Sequence, residues 1–151
     1  MIPQSRPAIL MAKSIEMEDL FIQNTLSTPE IQFSTSGTLI IKGTSRPEDS
    51  RYFYRHALNW LNEYGQQSCK VTTLSLNFSY IDTSSVRSMV DFIKAMTKLE
   101  QRGFEAIVNW YYEEGDDDLF DVGDALRSNT KLRVNLVELD TDEGFISKSE
   151  Q

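Results

Sequence analysis

The run Val71-Thr72-Thr73-Leu74-Ser75-Leu76-Asn77-Phe78-Ser79-Tyr80-Ile81-Asp82-Thr83-Ser84-Ser85 decides the fold, because the hydrophobic period changes within it. From Val71 to Ile81 it reads as a strand: Leu74, Leu76, Phe78 and Tyr80 alternate with Thr73, Ser75, Asn77 and Ser79. Successive side chains of a strand point to opposite faces, so one face is apolar and the other polar. Beyond Asp82 the period becomes helical. Val86, Met89, Val90, Ile93 and Met96 return every three or four residues, Arg87, Asp91, Lys94 and Lys98 face away, and Gly103 closes a helix from about Thr83 to Arg102.

The same grammar extends outward. Pro47-Glu48-Asp49-Ser50 opens an earlier helix whose Phe53, Ala57, Trp60, Leu61 and Tyr64 share one face, and Gly65 ends it. Before it, Gln32-Phe33 and Thr38-Leu39-Ile40-Ile41-Lys42 flank Ser34-Thr35-Ser36-Gly37 as a hairpin. After Gly103 come a strand from Glu105 to about Tyr111, a helix from about Asp117 to Ser128, and a strand from Leu132 to Leu139. The order ββαβαβαβ predicts a mixed, mostly parallel five-stranded sheet joined by crossover helices. A parallel strand covered on both faces is apolar throughout, whereas residues 73–80 and Leu132-Arg133-Val134-Asn135-Leu136 are apolar on one side only. The expected class is therefore α/β, two-layer, with helices mainly on one face. Thr73, Ser75, Asn77 and Ser79 should be more exposed than Leu74, Leu76 and Phe78.

Residues 17–139 form one domain on this reading. Residues 1–16 hold two prolines and no sustained period, and are expected to be a flexible N-terminal extension, with Met17 as an alternative start. Residues 140–151 read as a polar C-terminal tail.

A formal charge of −8 excludes nucleic acid and an anionic membrane as partners, since both need clustered Lys and Arg. No apolar run approaches a bilayer span, and the N-terminus lacks a secretory layout, so a cytoplasmic location is expected. Cys69 and His56 are each single, which excludes an internal disulfide and a thiol-based metal site. Cys69 falls in a loop and His56 within a helix, with nothing to orient either, and phosphate-cradling Gly-rich loops are absent. No catalytic residue and no cofactor are expected.

Two segments carry chemistry. Between Gly103 and Leu126 there is no Lys or Arg, while Glu113, Glu114, Asp116, Asp117, Asp118, Asp121 and Asp124 accumulate. Such a run reads as a solvated helix start favoured by the macrodipole, as a partner surface made of Asp116, Asp117, Asp118 and Asp121, or as a hard-cation site. The spacing lacks a calcium-loop ladder and its central Gly, so no metal is expected. The second segment is Asp82-Thr83-Ser84-Ser85, at the C-terminal end of the best strand and the start of the best helix. Asp, Ser and Thr are preferred helix caps, and that sheet edge is also where ligands and modifications concentrate. Cap and phosphoacceptor are compatible readings of these residues.

Thr25-Leu26-Ser27-Thr28-Pro29-Glu30-Ile31, Gly43-Thr44-Ser45-Arg46-Pro47-Glu48-Asp49, Trp60-Leu61, Tyr80-Ile81-Asp82-Thr83-Ser84-Ser85, and Asn109-Trp110-Tyr111-Tyr112 with the acidic run and Gly123 together resemble the SiaC family of bacterial regulatory phosphoproteins. The resemblance implies a STAS-like fold and phosphorylation at Thr83. Asp82 and Asp49 depart from the family's usual Asn, and Asp82 makes the segment similar to the Asp-Ser-Ser of STAS-type anti-sigma factor antagonists, where Ser84 is the matching acceptor. It further implies three partners: a Ser/Thr protein kinase with a histidine-kinase-like ATP fold, a PP2C-type phosphatase, and a diguanylate cyclase activated by the unphosphorylated form, raising cyclic-di-GMP and favouring biofilm or aggregation. An anti-sigma factor antagonist and a small carboxylate-metal enzyme are the competing expectations.

Overall fold

The structure, a computed structural model, describes residues 17–67 and 71–140, so the expectations for the 1–16 extension, for Cys69 and for nearly all of the tail lie outside the described residues. Six strands, β1 (Leu20–Ile22), β2 (Glu30–Phe33), β3 (Thr38–Ser45), β4 (Val71–Ile81), β5 (Glu105–Glu113) and β6 (Arg133–Leu139), form one sheet in the order of the chain. β1, β2 and β3 pair antiparallel, and β3 to β6 run parallel. The helices α1 (Ser50–Tyr64), α2 (Thr83–Gln101) and α3 (Asp117–Ser128) connect the parallel strands in turn. Right-handed crossovers that always step to the next strand in the same direction place every helix on the same face.

Burial agrees with that topology. Leu39, Ile41, Leu74, Leu76, Phe78, Val108 and Trp110 point into the helix layer and are buried, while Thr73, Ser75 and Asn77 are half-buried and Ser79 is exposed on the other side. The register sets the helix-free face out in transverse rows, one of which runs Gln32, Ile40, Ser75, Asn109, Asn135. Within it Asn135 Nδ2 donates to Asn109 Oδ1 at 2.9 Å, satisfying amides that face no helix.

Three expectations need correction. The sheet has six strands rather than five, because β1 is only three residues long and shows no period of its own. It is held by pairing with β2 and by its flank: Asp19 Oδ1 accepts from Thr35 N at 2.8 Å, and Trp60 Nε1 donates to Glu18 O at 2.7 Å. Tyr80 does not continue the buried stripe of β4. A bulge leaves Ser79 without a register partner, pairing Phe78 with Gly43 and Tyr80 with Thr44. The extra residue reverses the alternation and leaves Tyr80 51% exposed. The edges of the helical stripes also differ. In α1 Ala57, Trp60, Leu61 and Tyr64 are buried as expected, but Tyr54 joins them and Phe53 only packs against the core; in α2 Met89, Ile93 and Met96 are buried with Phe92 and Leu99, while Val86 is half-buried and Val90 37% exposed. α2 packs against α1 through an aromatic layer, Phe92 lying 5.8 Å from Tyr54 and 6.0 Å from Phe33. Its Val86–Val90 side is left over a groove of about 560 Å3 that separates it from α3.

α3 approaches the sheet closely at one point. Trp110 Nε1 donates to Leu119 O at 3.0 Å, and Gly123 lies over the indole so tightly that a Cβ there would fall 2.6 Å from Nε1. Gly123→Ala should therefore destabilise the fold by about 1–3 kcal/mol despite alanine's better helix propensity, because the contact is already filled. Urea denaturation measures this, and an unchanged midpoint would show that α3 has room to stand off Trp110.

Candidate functional site

The parallel strands β3, β4 and β5 end on one edge of the sheet, and each feeds a helix that begins with a carboxylate cap. Asp49 accepts from Tyr52 N at 3.1 Å, Asp82 from Ser85 N at 2.8 Å and Asp116 from Leu119 N at 3.1 Å. An ionised cap satisfies a donor that the helix leaves unpaired and opposes the positive end of its dipole. Four of the five sequence blocks singled out above reach this edge, the last of them through Asp116. The loop 23–29 reaches it through Arg46 N donating to Ser27 O at 2.8 Å, and residues 45–49 adjoin Asp82-Thr83-Ser84-Ser85 through Asp82 N donating to Ser45 O at 2.9 Å. Trp60-Leu61 is instead buried in the core beneath.

The three hydroxyls after Asp82 have different fates. Ser85 is fully buried, accepting from Ser45 Oγ at 2.7 Å, and Ser45 Oγ lies 2.6 Å from the Tyr54 hydroxyl. Ser84 is exposed, but its hydroxyl donates to Asp82 Oδ1 at 3.2 Å. Thr83 is exposed, and among the described residues its hydroxyl has no hydrogen-bond partner. The segment thus both caps a helix and presents a hydroxyl, and Thr83 is the freer of its two exposed candidates.

Beneath the segment the polar groups form a closed system. Tyr54 OH, Ser45 Oγ and Ser85 Oγ make one chain, which ends on Ser45 O at 3.4 Å. Ser50 Oγ donates to Ser84 O at 3.0 Å and lies 2.7 Å from Ser88 Oγ. Burial pushes the Tyr54 phenol far above its ordinary range and the charge of Asp82 adds to this, against the opposing effect of the neighbouring Ser45 and Ser85 hydroxyls, so Tyr54 stays neutral and donates to Ser45. Ser45, Ser50, Tyr54 and Ser88 escaped the sequence reading. Their only signal was a polar atom at a buried period, and partners up to 40 residues away were needed to interpret it.

On the same edge lie three large exposed side chains with apolar surface, Leu26 at 92%, Tyr52 at 65% in the first turn of α1, and Tyr80 at 51%. Leu26 sits in a turn locked by Thr25, whose Oγ1 accepts from Thr28 N at 3.0 Å and Ser27 N at 3.2 Å. Along α2 the groove toward α3 has an apolar floor that includes Val86, Val90, Ile93, Val122 and Leu126, with Lys94 and Asp121 on its walls. Thr83 lies on the same side of α2, three and seven residues before Val86 and Val90.

The acidic run divides by role. Asp116 is a cap, Asp117 and Asp118 are exposed in the first turn of α3, Asp121 borders the groove, and Asp124 pairs with Arg127 at 2.6 Å. Among the described residues no three His, Cys, Asp or Glu side chains are grouped to hold a metal ion. His56 is exposed on α1. No helix among the described residues is long and apolar enough to cross a membrane.

Two substitutions separate capping from burial. Ser85→Ala should cost about 1–3 kcal/mol by stranding the buried Ser45–Tyr54 hydroxyls. Asp82→Asn keeps an acceptor oxygen and should cost only a few tenths of a kcal/mol. Chemical denaturation of both variants checks this, and equal stabilities would show that the hydroxyl chain contributes nothing.

Comparison with known proteins points one way. A protein of Pseudomonas aeruginosa strain UCBPP-PA14 is 27% identical over 114 residues, 75% of this chain and 90% of that protein. SiaC of Pseudomonas aeruginosa superposes with a TM-score of 0.73 at 26% identity, over 81% of this chain and 99% of that one. SiaC in the crystal structure of the diguanylate cyclase SiaD in complex with its activator SiaC, also from Pseudomonas aeruginosa, gives 0.75 at 25% identity, over 80% and 99%. The model of the SiaC family of regulatory phosphoproteins matches residues 22–139, which spans every strand except part of β1 and all three helices, and the chain belongs to that family.

Proposed function

We propose that this protein is a non-catalytic, phosphorylation-switched activator of a diguanylate cyclase, with Thr83 as the acceptor and the unphosphorylated form as the binding state. The observation that carries the reading is the division of the three hydroxyls: Ser85 is buried, Ser84 is engaged by Asp82, and Thr83 stands exposed at the first position of α2. A kinase needs a hydroxyl it can bring to ATP. The related SiaC is an activator bound to the diguanylate cyclase SiaD, which supports a cyclase as the partner of this chain. A Ser/Thr kinase with a histidine-kinase-like ATP fold adds the phosphate and a PP2C-type phosphatase removes it, all in the cytoplasm, where the kinase meets ATP. The output is cyclic-di-GMP, and through it biofilm or aggregation.

The docking surface on this reading is the edge around Thr83 continued down α2. Leu26 and Tyr80 supply exposed apolar contact, and Val86, Val90 and the groove extend it. Asp121, with Asp116, Asp117 and Asp118 on the same helix, makes the far side acidic, matching a partner segment with an apolar stripe and basic flank. A phosphate on Thr83 brings about 1.5–2 negative charges to this surface. The α2 dipole softens that charge within the protein, but a partner fitted to a neutral hydroxyl offers no cation or donor of its own to meet it. A penalty of even about 3 kcal/mol weakens affinity more than a hundredfold.

Thr83→Ala should keep cyclase binding and lose its sensitivity to the kinase, while Thr83→Asp should lose most binding. Titration of each variant against the cognate cyclase, with mass spectrometry locating the phosphate, is the test. Phosphate on Ser84 would move the switch by one residue. Equal binding by phosphorylated and unmodified protein would refute the mechanism.

A further inference from the structure

Between the first turns of α1 and α2 lies a polar cleft of about 320 Å3 walled by Arg51 on one side and by Ser84 and Arg87 on the other. Neither arginine belongs to an ion pair among the described residues, although carboxylates share the cleft. We propose that Arg87, assisted by Arg51, clamps the phosphoryl group carried by the switch segment, turning a mobile modification into an anion fixed against the α1–α2 cleft. The inference rests on the reading of Asp82-Thr83-Ser84-Ser85 as the phosphorylated segment and adds how the modified state is held.

Helical spacing supplies the reach. Arg87 follows Thr83 by four residues and Ser84 by three, and such pairs have Cβ atoms about 5–6 Å apart on one helix face. Ser84 lines the cleft with Arg87, and Thr83 stands one turn before Arg87 at the border between cleft and groove, so the guanidinium meets a phosphate on Ser84 within the cleft and draws one on Thr83 toward it. Arg51 is brought to the opposite wall because Ser50 Oγ bonds the Ser84 carbonyl at 3.0 Å and draws the two helix starts together. A planar guanidinium offers paired donors that match phosphate oxygens.

The competing charges are Asp82 and Asp91 on the α2 side, and Glu48 and Asp49 at the entry to α1, with exposed Arg46 in the preceding loop. Asp49 and Asp82 already accept from backbone N–H groups, and a phosphate near a charge of −2 outcompetes a single carboxylate for the arginines. Arg87 acts here as a positioning residue for the phosphate.

The test uses the full chain with phosphothreonine installed at position 83 during synthesis, so that it does not depend on the kinase. Phosphorus NMR then follows the second ionisation of the phosphate with pH in the unsubstituted chain, in Arg87→Gln and in Arg87→Lys. Loss of the guanidinium should raise that pKa by roughly 0.5–1 unit, with the lysine variant recovering part of the difference. Superimposable titrations for all three chains would overturn the clamp. Cyclase binding by the same phosphorylated chain is a separate measurement, so the clamp and the binding switch can fail independently.

Discussion

The handedness of the strand–helix–strand crossover governs this molecule. Because β3, β4, β5 and β6 follow one another in space as in sequence, each right-handed connection returns on the same side of the sheet. From that single constraint come the two-layer form, the polar helix-free face and the gathering of three helix starts along one edge. The edge is electrically uniform: each helix presents its positive dipole end there, and each is met by an aspartate cap. A regulatory segment placed at this edge is held by a rigid scaffold while remaining open to other proteins.

The segment works through a separation of tasks among adjacent residues. Asp82 fixes the backbone of the helix start, Ser85 ties that start to the core through Ser45 and Tyr54, and Ser50 ties the start of α1 to the backbone between them. With every buried polar group in this network satisfied, its geometry is strongly specified. A change confined to the exposed Thr83 can then alter the surface without loosening the fold.

Packing of the helices has a second consequence. α2 turns its aromatic and Met-rich arc toward α1 and the sheet, leaving Val86 and Val90 beside a groove that α3 does not fill. Gly123 pins α3 onto Trp110, so the gap cannot close by a simple slide of that helix. The apolar surface thus kept at the molecule's face runs along α2 from the segment that carries Thr83.

Local chemistry was readable from the chain alone wherever the signal was periodic or positional. Alternation in residues 73–80 foretold the one-sided sheet, the caps and closing glycines bounded the helices to within a residue or two, and Asp82-Thr83-Ser84-Ser85 declared a helix start rich in hydroxyls. What the chain could not declare were matters settled by distant neighbours. The three-residue β1 exists only because β2 pairs with it, and Tyr80 faces outward only because a bulge opposite Gly43 and Thr44 reverses the alternation. Which of three consecutive hydroxyls is buried depended on Ser45 and Tyr54, and which apolar residues of α2 stay exposed depended on where α1 and α3 came to rest. Periodicity names a face, but the partner that covers it is chosen by tertiary packing, and at this site that choice separates a structural serine from a reachable threonine.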